Sequence, residues 1–209
     1  MKLDEIFRGS KDIESFFEQL EEISENIDCY LLDILPMTVQ DPEKYAQFEL
    51  VWEHIVDDEH FLKQKAFFVE EEKFVSFFKK LWLYNKTKVY VHEFSRPKEC
   101  FLKLIDVDEE IFLWIKKSAG KTISVTSIEK LELLVRLGTR DIITIIFVYE
   151  DMEIICWSTG GVAWLIYFNK PDVIELVKDM ANVEGLYLYY RKQETRSLPP
   201  YDQYAPRQD

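Results

Sequence analysis

DIITIIFVYEDMEIICWSTGGVAWLIYF, residues 141–168, holds three apolar runs separated by two very short links. The runs DIITIIFVY, EIICWS and VAWLIYF are rich in β-branched and aromatic residues, which suits strands. The links, around Asp151 and at Gly160-Gly161, are too short for the crossover that a parallel return requires, so neighbouring runs must be antiparallel. The stretch predicts a three-stranded meander. Its alternation carries a further constraint. In the first run Ile143, Ile145 and Phe147 fall on one side, and Ile142, Ile146 and Val148 on the other. A sheet wet on one face alternates apolar with polar residues. Here both faces are apolar, and burying each large side chain stabilises by about 1.5–3 kcal/mol. The meander therefore needs cover on both sides, from C-terminal helices on one and from N-terminal helices or a second subunit on the other.

Outward from the meander, helical patterns flank it. DVDEEIFLWIKKSAG has an Asp cap, acids in its first turn, lysines in its last and Gly120 beyond, which predicts a helix over 107–118. KTISVTS reads as a strand, and Thr126 with Glu129 makes a capping box for a helix over 127–137 that Gly138 closes. Pro171 opens a helix over 171–183, and GLYLYYR gives a last strand, with Tyr187, Tyr189 and Arg191 on one side. KVYVHEF and CFLKLID, joined by SRPKE, predict a hairpin.

The first 85 residues read as helical. Ile13, Phe16, Phe17, Leu20, Ile23, Ile27, Tyr30, Leu31 and Ile34 recur at three and four, an apolar face that Pro36 ends. Asp41-Pro42 starts a second helix with Tyr45, Phe48, Val51, Trp52 and Ile55 inward, and Phe74, Phe77, Phe78 and Leu81 mark a third over 70–84. These elements predict an α+β fold. An acidic helical N-terminal half (1–85) packs on a mixed, mainly antiparallel sheet (86–192) as one compact unit, with helices covering both faces. Residues 193–209 read as an extended or disordered tail.

Composition agrees with a packed domain. Of 209 residues 47% are hydrophobic, with fifteen Phe, eleven Tyr and five Trp, enough for a large core. Three cysteines without a CxxC or Cys/His cluster indicate neither a disulfide framework nor zinc. The N-terminus lacks an apolar signal core, and the longest apolar run, VAWLIYF, falls far short of a bilayer span of about 20 residues, so a soluble cytoplasmic chain is expected. Net charge is −13, concentrated in residues 1–85 with 20 acids against 9 bases; residues 86–209 hold 19 against 17. That balance excludes a generally basic surface for nucleic-acid backbone.

No catalytic residue stands out. Ser158 in CWSTGG precedes the glycines and lies between strands, unlike a nucleophile elbow, and no lysine and hydroxyl follow the glycines as a phosphate loop requires. The segment reads as a hairpin turn. His54 and His60 lie six residues apart, which aims them about 240° from each other on one helix, so no metal site is expected there. Cys156 reads as a buried, inert thiol. No cofactor is indicated.

The acidic ridge of the first helix, Glu14, Glu18, Glu21, Glu22 and Glu25, suggests a docking face for a basic protein partner, with Asp57–Glu59 and the three glutamates at 70–72 adding to it. In size and composition the chain resembles small acidic bacterial cytoplasmic proteins, some of which are immunity proteins that neutralise a toxin. The resemblance implies a non-enzymatic binding protein, most concretely an immunity- or antitoxin-like inhibitor. Two other readings stand beside it. One is a small-molecule binder or enzyme with a pocket between helices and sheet, walled by His92, Trp157, Ser158 and Thr159. The other is a homodimer whose interface covers the second sheet face.

Overall fold

A computed structural model describes residues 3–7, 9, 13–14, 28–48, 50–56 and 61–191 of the chain. The meander forms as its pattern requires, with β4 (Ile145–Tyr149), β5 (Ile154–Ser158) and β6 (Ala163–Phe168) pairing in sequence order. It is the middle of a larger sheet. β2 (Thr87–Val91) and β3 (Lys121–Ser124) extend it on one side, and β1 (Cys29–Asp33) and β7 (Tyr187–Tyr190) on the other. The order is β3-β2-β4-β5-β6-β1-β7. Every pairing among the described residues is antiparallel, so the expected mixed character is absent from them.

The fold is α+β, and two apolar layers enclose the sheet. On one face Leu32, Val89, Val91, Ile145, Phe147, Ile154, Cys156, Trp164, Ile166 and Leu188 join one large core. Against this face pack α4 (Phe61–Leu83), α5 (Lys98–Leu104), α6 (Glu109–Ser118), α7 (Ile128–Thr139) and α8 (Ile174–Val183), through residues such as Phe74, Phe78, Phe101, Ile115, Leu134 and Val177. On the other face Cys29, Tyr90, Ile146, Val148, Ile155, Leu165 and Tyr167 form a second cluster. Leu3 and Ile6 of α1 (Leu3–Phe7) and Ile13 cover it. Both faces are covered, but the division of labour differs from expectation: α4 shares the side of the C-terminal helices, and α1 with Ile13 supplies the described cover of the second.

Several elements depart from their sequence readings for identifiable reasons. Residues 29–33 were expected to end the first helix and instead form a strand between β6 and β7. Cys29-Tyr30-Leu31-Leu32 is apolar at every position, and in the sheet Leu32 meets one core while Cys29 meets the other. A continuous run of this kind satisfies a doubly covered strand as well as a helix. Residues 15–27 of that expected helix lie outside the described residues. CFLKLID, expected as a strand, lies largely in α5 (98–104), whose Phe101 and Leu104 sit three apart and are both buried.

The helix at Asp41 starts as read: Asp41 Oδ1 accepts from the amides of Glu43 and Lys44 at 3.0 and 3.2 Å. It is split into α2 (Pro42–Phe48) and α3 (Trp52–Ile55), and Tyr45 is exposed while Trp52 and Ile55 point inward. Ser127, not Thr126, caps α7 by accepting from the Lys130 amide at 3.3 Å. Gly138 does not close α7 but lies within it, because a Cβ there would come within 2.6 Å of the Trp164 indole.

One of the three glutamates at 70–72 is not surface at all. Glu71 on α4 is fully buried and takes hydrogen bonds from Arg140 Nε at 2.7 Å and Nη2 at 2.8 Å, and from Arg136 Nη1 at 2.8 Å. The Arg140 guanidinium also lies 4.6 Å from the Trp52 ring centroid. Trp52 Nε1 donates to the Leu104 carbonyl at 2.6 Å. This cluster ties α3, α4, α5 and α7 together. Glu70 pairs with Lys73 at 2.6 Å, and Glu72 pairs with Arg136 at 2.5 Å.

Two stability measurements follow from these contacts. Gly138→Ala gains about 1 kcal/mol of helix propensity but presses a methyl on a fully buried indole, so a net loss of about 1–2 kcal/mol is expected in urea unfolding. A raised unfolding midpoint would show that the indole moves aside. Glu71→Ala strands two partly buried guanidiniums and should cost about 3–5 kcal/mol, whereas Glu70→Ala, a partly exposed i,i+3 pair, should stay within about 1 kcal/mol. Equal losses would contradict the distinction.

Candidate functional site

The carboxylate ridge read from the sequence falls mostly outside the described residues: Glu18, Glu21, Glu22 and Glu25 are not among them, and Glu14 is exposed. Asp57–Glu59 and His60 are likewise outside, and His54 is exposed on α3. Among the described residues no group of three or more His, Cys, Asp or Glu side chains is placed to hold a metal ion.

The four residues expected to wall a pocket do not converge. Trp157 belongs to the cluster covered by α1, whereas Ser158, its neighbour on β5, points to the opposite face and is buried beneath Gly138. Adjacent strand residues must point apart, so the two cannot line one cavity. Ser158 Oγ accepts from the Ile145 amide at 2.9 Å, a structural bond that holds the start of β4. Thr159 is exposed, and its hydroxyl donates to the Ala163 carbonyl at 3.2 Å across the turn. His92 is half-buried with Nδ1 2.8 Å from the Glu93 carbonyl. CWSTGG is a hairpin turn: Gly160 and Gly161 have φ of 84° and 75°, the conformation that favours glycine. The Asp141 carboxyl packs over Gly160, where a Cβ would meet it at 2.9 Å. Cys156 is fully buried, and burial pushes its thiol well above the ordinary range.

What the structure does bring together is a groove at the other end of the sheet. α8 ends at Gly185 (φ 74°), which reverses the chain, while the Leu186 amide donates to the Ala181 carbonyl at 2.9 Å. β7 then pairs with β1 in the register Tyr30↔Tyr190, Leu31↔Tyr189, Leu32↔Leu188 and Asp33↔Tyr187. Val177 and Ala181 turn α8 to the core, leaving Ile174, Glu175, Lys178 and Asn182 on its flank. Between this flank, Pro36, Tyr30 and β7 lies an open groove of about 430 Å³ that includes Tyr187, Tyr189 and Tyr190 in its wall.

The tyrosines are held by carboxylates. The Tyr190 hydroxyl donates to Asp28 Oδ1 at 3.0 Å, and the Tyr189 hydroxyl donates to Asp33 Oδ2 at 3.3 Å. Asp33 Oδ1 also accepts from the Leu35 amide at 3.0 Å. The Tyr30 ring packs edge-on against Phe168 and Tyr190, with centroids 5.3 and 5.6 Å apart. Burial raises the Asp33 carboxyl above its usual range, against the hydrogen bonds from Leu35 and Tyr189 that pull it down. Burial, then the Asp33 charge, pushes Tyr189 up to about 12. Tyr30 is raised by burial and by Asp28 and Glu175, and Tyr190 mainly by its bond to Asp28. At neutral pH these phenols are therefore donors and aromatic faces, not bases. The groove offers ring faces beside the Glu175 carboxylate, a combination that receives cations, and the Tyr189–Asp33 pair lies on the other face of the sheet. Lys178 stands 3.8 Å from Glu175, and both side chains are largely exposed.

GLYLYYR shows its tyrosines in the sequence; Tyr30 and Asp33 were hidden by the helical reading of 29–34, and the carboxylates that bracket this apolar run, Asp28 and Asp33, were the available signal. No family model, curated protein or solved structure matches the chain. Among the described residues no helix is long and apolar enough to cross a membrane.

The Tyr189–Asp33 contact has a titration signature. Tyr189 should ionise near pH 12, and because its folded value lies above the ordinary 10, the protein should lose stability as pH rises between about 10 and 12. Asp33→Asn removes the charge but not the burial, so the Tyr189 resonance should titrate at lower pH while staying above 10. An unchanged titration would separate the two groups.

Proposed function

We propose that the protein is a non-catalytic binding module that engages a basic segment of a protein partner. The observation that carries this reading is the groove between α8 and β7, where Tyr30 and Tyr190 face the flank of α8 that carries Glu175, and Asp28 holds the Tyr190 hydroxyl. Tyrosines give large, stiff contact area with few rotatable bonds, and they recur at interface hot spots. The hydrogen bond to Asp28 holds Tyr190 in place before a partner arrives, which reduces the ordering cost of association. The chain's charge of −13 steers basic partners towards it and repels acidic ones.

An inhibitor of the immunity or antitoxin type is one form such a module takes, in which the partner is a toxin with a basic surface. The reading is supported by the acidic charge and the groove, and by no relative.

Titration with an arginine- and lysine-rich model peptide, against a glutamate-rich peptide of equal length, tests the reading. Only the basic peptide should bind, and its affinity should fall at least about tenfold between about 0.05 and 0.5 M salt. Glu175→Gln, at a largely exposed position, should weaken binding while costing no more than about 1 kcal/mol of stability. Equal affinity for both peptides, or affinity that is flat with salt, would contradict it.

A further inference from the structure

The same groove shows how such a segment would be held, an inference that rests on the binding reading above and adds its geometry. β7 is the last strand of the sheet, so one side of it has no strand partner among the described residues. The Arg191 amide donates to the Cys29 carbonyl at 2.9 Å, which makes Cys29 and Arg191 a hydrogen-bonded pair. In an antiparallel ladder such pairs alternate, so Tyr189 and Tyr187 also bond to β1. Leu188 and Tyr190 must then direct their N–H and C=O groups away from β1, to the open edge. Edge strands are ordinarily blunted by charged side chains, prolines or bulges. β7 reads Tyr-Leu-Tyr-Tyr and has none of these, whereas the opposite edge strand, β3, begins with Lys121.

The side chains agree with the backbone. Leu188 and Leu32 sit opposite each other and share the large core, so Tyr190 and Tyr30, two residues along each strand, face the same side, where α8 leaves the groove. A strand added to β7 would send alternate side chains into that groove, between Tyr190 and the flank carrying Glu175 and Lys178. The volume of about 430 Å³ lies within the range of ligand pockets. Charge selects the occupant. A second copy of this chain would bring another −13 to the contact, whereas an arginine or lysine would find the ring faces of Tyr30 and Tyr190 and could compete with Lys178, 3.8 Å away, for the exposed Glu175 carboxylate.

We propose that the open edge of β7 captures an extended basic peptide segment, which adds to the sheet as a further strand and seats alternate side chains in the tyrosine groove. Main-chain bonds would supply affinity, and the groove would supply preference for a cation at one strand-facing position.

Selection from a display library of random linear peptides on the full chain provides the probe, and the best binder is then synthesised. Selected peptides should be enriched in arginine and lysine. Binding should slow amide exchange at Leu188 and Tyr190 at least about tenfold. Methylating the peptide's backbone nitrogens one at a time should weaken binding at every second position and leave the intervening positions unchanged. Tyr190→Ala should lose binding at least about tenfold. If Tyr190→Ala loses binding but the methylation series shows no alternation, strand addition is wrong and the groove reading survives. If no peptide is selected, or none depends on Tyr190, both fail. If Leu188 and Tyr190 are already protected in the free chain, the edge is occupied and the proposal is overturned.

Discussion

Strands that are apolar on both faces have only one stable place, the middle of a three-layer arrangement. β4, β5 and β6 impose that demand here, and most of the described structure answers it. Among the described residues the helices α3 to α8 close one side, and α1 with Ile13 closes the other. The same demand explains why β1 enters the sheet. A segment apolar at successive positions 29–32 is accommodated where both sheet faces are covered, and here it lies between β6 and β7. Its insertion moves β7 to the edge and thereby creates the groove. Core packing and the candidate site are consequences of one constraint.

The second organising feature is polar. Burying Glu71 is tolerable only because Arg136 and Arg140 meet both of its oxygens, and Arg140 in turn lies against Trp52. A buried ion pair is weak evidence for added stability but fixes geometry, since either partner alone in that place is costly. Here it sets α7 against α4 and holds the short α3 beside them. Part of the acidity concentrated in the N-terminal half is thus consumed internally. The acids that remain on the surface include Asp28 and Glu175 at the groove.

Legibility from sequence followed the strength of the local signal. The meander, the Asp108 cap of α6 and the turn at Gly160-Gly161 were readable, because alternation, capping chemistry and glycine conformation are local properties. β1 was not, since a short apolar run after a helical period fits either structure until its neighbours are known. α5 failed for a related reason: Phe101 and Leu104 suit both a strand and a helix in so short a window. Gly138 was read as a terminator because glycine commonly ends helices, but its role depends on Trp164, distant in sequence. The pocket expected around Trp157 and Ser158 treated neighbours in sequence as neighbours in space, which strand geometry forbids. The tyrosines of GLYLYYR were visible as part of a last strand, but the groove needed β1 and α8 in place.

Cross-strand contacts of residues 29–33 in an isotope-labelled sample test this account most directly. Through-space connectivities from Leu31 to both Leu165 and Tyr189 are expected, because β1 lies between β6 and β7. Sequential helical connectivities through residues 29–34, with neither cross-strand contact, would remove β1 from the sheet and the groove with it.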